Sequence, residues 1–171
     1  MPSGFRTASK CVLVLSWVLA LGCRRGGAPE PGTEFFAIAP DAVTEVTYSS
    51  DARKLYAYRW RPEGPFQVFV GRRGAAAEQC AGGEGFARWL RALSRVPVLR
   101  ELDSKVGAES GEWAEVRVRD ASRLEPAEMT LYVPAGAGPV VLAFKDRQYV
   151  VGVDAAAVRS LASGCATLGA R

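Results

Sequence analysis

The chain has 171 residues, 22 basic against 18 acidic side chains and no histidine, with 49% hydrophobic and 23% charged residues. That balance is globular rather than disordered. A nucleic-acid surface is disfavoured, because only 4 of the basic residues are Lys and basic and acidic residues interleave, as in Arg100-Glu101 and Arg119-Asp120.

The amino terminus carries an address. Arg6 and Lys10 precede an apolar run from Cys11 to Leu21, then Gly22-Cys23. Positive, then apolar, then small is the order of an export signal. The run of 11 residues is too short for a spanning helix, which needs about 20. Leu19-Ala20-Leu21-Gly22-Cys23 resembles the lipobox of bacterial lipoproteins, although that family prefers Leu where Ala20 stands. The resemblance implies cleavage before Cys23 and acylation of its thiol; the alternative is an ordinary secretory signal. Residues 1–22 are then signal, and 23–33 are lipidated Cys and tether, RRGGAPEPGT following Cys23. Ten extended residues reach at most about 36 Å. Two or three acyl chains would make the membrane attachment effectively permanent.

Residues 34–171 are expected to form one domain. Phe35 to Ala39 is a short apolar segment. Val43 to Tyr48 and Lys54 to Trp60, flanking Ser49-Ser50-Asp51, predict a hairpin. Tyr56, Tyr58 and Trp60 share one face of its second strand, and Leu55, Ala57 and Arg59 the other. Phe66, Val68 and Val70 alternate as a third strand. Gly71 to Gly85 reads as loop. Phe86, Trp89, Leu90 and Leu93 then recur at helical spacing, with Pro97 as the expected stop and Val96 to Leu102 as an outgoing strand.

The second half repeats the pattern. Ala114, Val116 and Val118 alternate with Glu115, Arg117 and Arg119, and Met129, Leu131 and Val133 form another strand before Pro134. Val140 to Phe144 and Tyr149 to Val153 predict a hairpin across Lys145-Asp146-Arg147. Asp154 is a good N-cap for Ala155 to Ala162, with Gly164 as the stop. The fold class expected is α+β: two β-rich halves, βββ-α and ββββ-α, with helices packed on antiparallel sheet.

The order V-T-E-V-T-Y, turn, K-L-Y-A-Y-R, then a Trp-containing helix, L-Y-V-P and Y-V-V-G-V-D before a last helix is similar to the bacterial family called domain of unknown function 4340. It covers roughly Val43 to Leu161, with Phe66 where that family usually has Trp. The family has no assigned activity. Some members are encoded near ABC-type transporters, so the resemblance implies at most an accessory role in the envelope.

Chemistry is sparse. Cys80 and Cys165 remain once Cys11 and Cys23 are assigned to signal and lipid, and in an oxidising compartment they are disulfide candidates; the alternative is two buried thiols. No CxxC and no His support redox catalysis or zinc. Gly82-Gly83-Glu84-Gly85 lacks the Lys and Ser or Thr of a phosphate loop, and Glu84 would repel an anion. The pairs Glu101–Asp103, Glu112–Glu115 and Glu125–Glu128 read as solvated surface. No G-x-S-x-G marks a nucleophile.

An enzyme is therefore not expected, and no cofactor or metal. Trp113 and Tyr132, facing away from their strands' apolar rows, are candidates for partner contact with Arg117 and Arg119; the alternative is that both sheet faces are covered. The reading is a lipid-anchored envelope protein facing the periplasm or exterior. It acts as a non-enzymatic interaction or assembly module whose partner is an envelope protein or transporter. The alternative is a small-molecule or glycan binder with a pocket lined by Tyr56, Tyr58 or Trp60.

Overall fold

A computed structural model describes residues 28–106, 110–121, 125–160 and 164–169. The signal segment and Cys23 lie outside the described residues. The elements in chain order are β1 (Glu34–Ala37), β2 (Val43–Ser50), β3 (Arg53–Tyr58), β4 (Gln67–Arg72), β5 (Glu78–Ala81), α1 (Glu84–Ser94), β6 (Arg95–Glu101), β7 (Gly111–Asp120), β8 (Ala127–Pro134), β9 (Val140–Phe144), β10 (Arg147–Val151), α2 (Ala155–Arg159) and α3 (Cys165–Leu168). The described chain is mostly β. One antiparallel sheet of ten strands runs β1-β6-β10-β9-β8-β7-β2-β3-β4-β5, with three short helices.

β2 pairs with β7 from Val43↔Asp120 to Ser50↔Ala114, which joins the two β-rich halves in a single sheet. Two expectations are corrected here. The segment Gly71 to Gly85 is not all loop. Its middle, Glu-Gln-Cys-Ala, forms β5 against β4, with Val68 opposite Cys80. Pro97 does not close α1. The helix ends at Ser94 and Pro97 sits inside β6, opposite Glu34 where the β1 register is irregular. That placement suits a residue with no amide proton to give.

The sheet curls. Six inter-strand steps separate β1 from β2, about 29 Å at about 4.8 Å per step. The chain from Ala37 to Val43 can span only about 22 Å. The strand ends must therefore swing towards each other, and the ring of Phe35 on β1 meets Phe144 on β9 edge-on at 5.6 Å. The apolar rows fill the concave side: Val46 and Tyr48, Leu55 and Ala57, Val68 and Val70, Ala114, Val116 and Val118, and Leu131 and Leu142 are all buried. Against them α1 lays Phe86, Trp89, Leu90 and Leu93, as the helical spacing predicts. Trp89 is edge-on to Tyr48 at 6.1 Å and stacks on Phe86 at 5.7 Å.

The carboxyl-terminal segment closes over the start of α1. Asp154 caps α2 by accepting the Ala156 amide at 2.9 Å. A disulfide joins Cys80 on β5 to Cys165 at the start of α3, with Cα atoms 5.8 Å apart. The Gly83 amide donates to the Leu168 carbonyl at 2.9 Å, and the Gly82 amide to Phe66 at 2.7 Å. These two amides are thus already engaged, and Glu84 accepts from Arg91 at 2.6 Å. Gly82 to Gly85 is a structural junction between helix, sheet and tail.

Candidate functional site: the open face of the sheet

The convex face carries the alternate residues of every strand, and its two halves differ. Near β8, β9 and β10, Tyr132, Val141 and Val150 point to this face yet are 3%, 1% and 6% exposed. In the strand order β10, β9 and β8 lie between β6 and β7. The described residues that join β6 to β7 are 102–106 and Ser110. These hold on to that side: the Leu102 and Val106 amides donate to the Gln148 carbonyl and Gln148 Oε1 at 2.9 and 2.7 Å, and Ser110 shares a 3.1 Å hydrogen bond with the Tyr132 hydroxyl.

Tyr132 is therefore not the exposed aromatic that alternation predicts. It is packed at 5.4 Å against the half-buried Trp113, beneath the incoming chain at Ser110 and Gly111. Arg117 and Arg119 do lie in the open. They pair with Glu128 at 3.2 Å and Glu45 at 3.6 Å, in ladders typical of an exposed sheet surface. The four predicted contact residues thus divide: Trp113 and Tyr132 support the fold, whereas Arg117 and Arg119 border the uncovered half.

That half has a different aromatic group at its centre. The register aligns Phe69, Tyr56, Thr47, Arg117 and Glu128 in one row, and Gln67, Tyr58, Glu45 and Arg119 in the next. The rings of Tyr56, Tyr58 and Phe69 form a near-equilateral triangle with sides of 5.6, 6.1 and 6.3 Å and planes within 36° of one another. Trp60, just past the end of β3, stands at 82° to Tyr58 with centroids 5.3 Å apart. Trp60 is 86% exposed and Tyr56 41%, whereas Trp89 and Tyr48 on the other side are fully covered. Loss of water around the Tyr56 phenol, with Glu45 and Tyr58 nearby, raises its pKa above the ordinary value; Arg119 opposes the rise.

The pattern grouped Tyr56, Tyr58 and Trp60 correctly on one face, with a pocket there only as the alternative reading, and it passed over Phe69. The readable signal for Phe69 was its position between Val68 and Val70, which puts it opposite their apolar row. Five cavities among the described residues are lined by other side chains. One of about 460 Å³ lies elsewhere, between α1 and the Pro40 loop, walled by Phe66, Phe86 and Leu90. Arg59 at its rim donates to the carbonyls of Pro40, Asp41 and Val43 and lies 4.8 Å from the Phe66 ring, so its guanidinium fastens loops together.

The carboxylate pairs do not converge as acid and base. Glu112 and Glu115 leave β7 on opposite faces. Glu112 corrects the solvated reading, being half-buried and accepting from Tyr48 at 3.1 Å, Ser50 at 2.8 Å and Arg53 at 3.3 Å. Burial, followed by the charge and hydrogen bond of Glu112, raises the Tyr48 pKa strongly, so this cluster holds a proton rather than exchanging one. Glu101 pairs with Arg147 at 3.2 Å. Among the described residues no group of three or more His, Cys, Asp or Glu is placed to hold a metal ion. No family model matches the chain, and no curated protein or solved structure matches it either.

Proposed function

We propose that this protein is an envelope lipoprotein, anchored through Cys23, whose sheet presents a non-enzymatic docking surface to another envelope protein, such as a transporter component. The surface is the aromatic group of Tyr56, Tyr58, Phe69 and Trp60 with the flanking Arg117 and Arg119. One observation carries the reading: the aromatics of the concave side are sealed, while Trp60 and Tyr56 are left to solvent in contact with their neighbours. Large aromatics clustered in the open are enriched where proteins meet. The disulfide between Cys80 and Cys165 supports a location outside the reducing cytosol. The accessory role beside a transporter, and the resemblance to domain of unknown function 4340, belong to the same proposal. Capture of a small molecule or glycan has less support, since Trp60 is 86% exposed and Tyr56 41% rather than enclosed.

The test is photocrosslinking in intact cells with the reactive side chain at Tyr56 or Trp60, against Arg88 on the outer side of α1. Discrete protein adducts from the first two positions and none from the third are expected. Equal labelling from all three, or none from any, would refute a docking face.

A further inference from the structure

The uncovered half of the convex face has a matching order on the two sides of β2. Lys54 and Glu115 share one cross-strand row, Tyr56 and Arg117 the next, and Tyr58 and Arg119 the third, each time with a β2 residue between them. One flank of β2 therefore presents a cation and two phenol rings, and the other an acid and two guanidinium groups. All six side chains leave the sheet on the same face.

Within one chain these complementary groups do not meet. The strands that carry them, β3 and β7, are two steps apart, about 10 Å. Lys54 and Glu115 are both exposed and have no ion-pair partner among the described residues. Arg117 and Arg119 pair with Glu128 at 3.2 Å and Glu45 at 3.6 Å, in each case through Nε. Such a pair occupies an edge of the guanidinium and leaves its flat faces for stacking on a ring.

A two-fold axis laid along β2 brings the complementary groups together. It turns a second copy face down and exchanges the two flanks. Lys54 then stands opposite the second copy's Glu115, Tyr56 opposite its Arg117 and Tyr58 opposite its Arg119, and each pairing occurs twice. Glu45 lies on the axis and meets its own counterpart, with Arg119 of each chain beside the pair. An axis laid across the strands through the row of Arg117 would instead set that residue against itself, which like-charge repulsion disfavours.

We propose that this face pairs with a second copy of the chain, β2 over β2, as an aligned sandwich of two sheets. The proposal rests on the docking reading of the same face and names a second copy as its occupant, which any other partner must displace. Two convex surfaces touch only near the axis, so the contact is confined to β3, β2 and β7. Tyr, Lys and Arg are long enough to bridge the roughly 10 Å between packed sheets. An interface this narrow is smaller than the roughly 800 Å² a side of a stable complex, so the dimer is reversible.

Sedimentation equilibrium of the full chain over a concentration series tests the pairing, and a monomer–dimer equilibrium is expected. Lys54→Glu sets acid against acid at both ends of the interface and should weaken association about tenfold. Adding Glu115→Lys to that variant should restore it. Both positions are exposed, so the unfolding midpoints of all three chains should agree, which separates loss of pairing from loss of fold. A chain that stays monomeric at every concentration overturns the proposal, as does undiminished association of Lys54→Glu or a double variant that fails to recover. A monomeric chain whose position 56 still captures another protein in cells would remove the second copy and leave the docking reading standing.

Discussion

Gly85 lies so close to Thr167 that a β-carbon at position 85 would stand 2.0 Å from the Thr167 carbonyl oxygen. The contact joins the first turn of α1 to α3, so backbone meets backbone and no side chain can swing aside. Gly85→Ala should separate the two helices and destabilise the fold by about 1–3 kcal/mol, the usual range for overpacking, and by more if the tail detaches. Urea unfolding measures the loss; an unchanged midpoint would show that the tail is not seated there.

The tail is also held covalently. Unreduced protein should lose the mass of two hydrogens relative to reduced protein, with the bridge mapping to Cys80 and Cys165. In the chain-entropy model, closing 85 residues stabilises by roughly 4.5 kcal/mol. Reduction should lower the unfolding midpoint without removing the core. Free thiols at both positions in protein isolated without reductant would contradict the assignment.

Tyr48 donates to Glu112 from a site that is 1% exposed. Tyr48→Phe removes one of three side-chain donors to that carboxylate and should cost about 1 kcal/mol, since Glu112 keeps Ser50, Arg53 and some contact with water. The pH dependence has a definite sign. The native phenol has a raised pKa, so the folded state favours its protonated form. That stability is fully present below the ordinary phenol value near 10 and declines as the pH rises above it. Wild-type stability should fall more steeply than that of Tyr48→Phe above pH 10, and parallel curves would remove this linkage.

Exposed and buried aromatics should separate cleanly in a mutational series. Trp60→Ser should change stability by no more than about 0.5 kcal/mol, because Trp60 is 86% exposed, and should still abolish crosslinking to a partner. Trp89→Ala should cost about 3–5 kcal/mol from the sealed core. A large stability loss at Trp60 would mark it as structural and weaken the docking proposal.

Much of the local structure was legible in the sequence. The hairpin of β2 and β3, the helix stripe from Phe86 to Leu93 and the hairpin of β9 and β10 each carry their period in plain view. What escaped was set by distant chain. Glu78 to Ala81 has no alternation of its own and becomes a strand because β4 offers its edge and Cys165 clamps its middle. Tyr132 obeys the period-two rule that turns it from the core, and is then met by Ser110 and Gly111, whose approach the local pattern does not show. The aromatic triangle likewise needs the β3 to β4 register, which brings Phe69 beside Tyr56. Periodicity assigns a residue to a face, while topology decides whether that face meets water.

The seam between β2 and β7 has a consequence in time. During synthesis, β2 to β5 are neighbours in sequence and in the sheet, yet the outer border of β2 waits for a strand some seventy residues further along. Until that strand emerges, the Val43–Ser50 segment offers bare amides and carbonyls to any neighbouring chain. Such distant pairing is slow to form compared with local contacts. Glu45 puts a charge on that border, and Arg119 pairs with it at 3.6 Å only once β7 is in place.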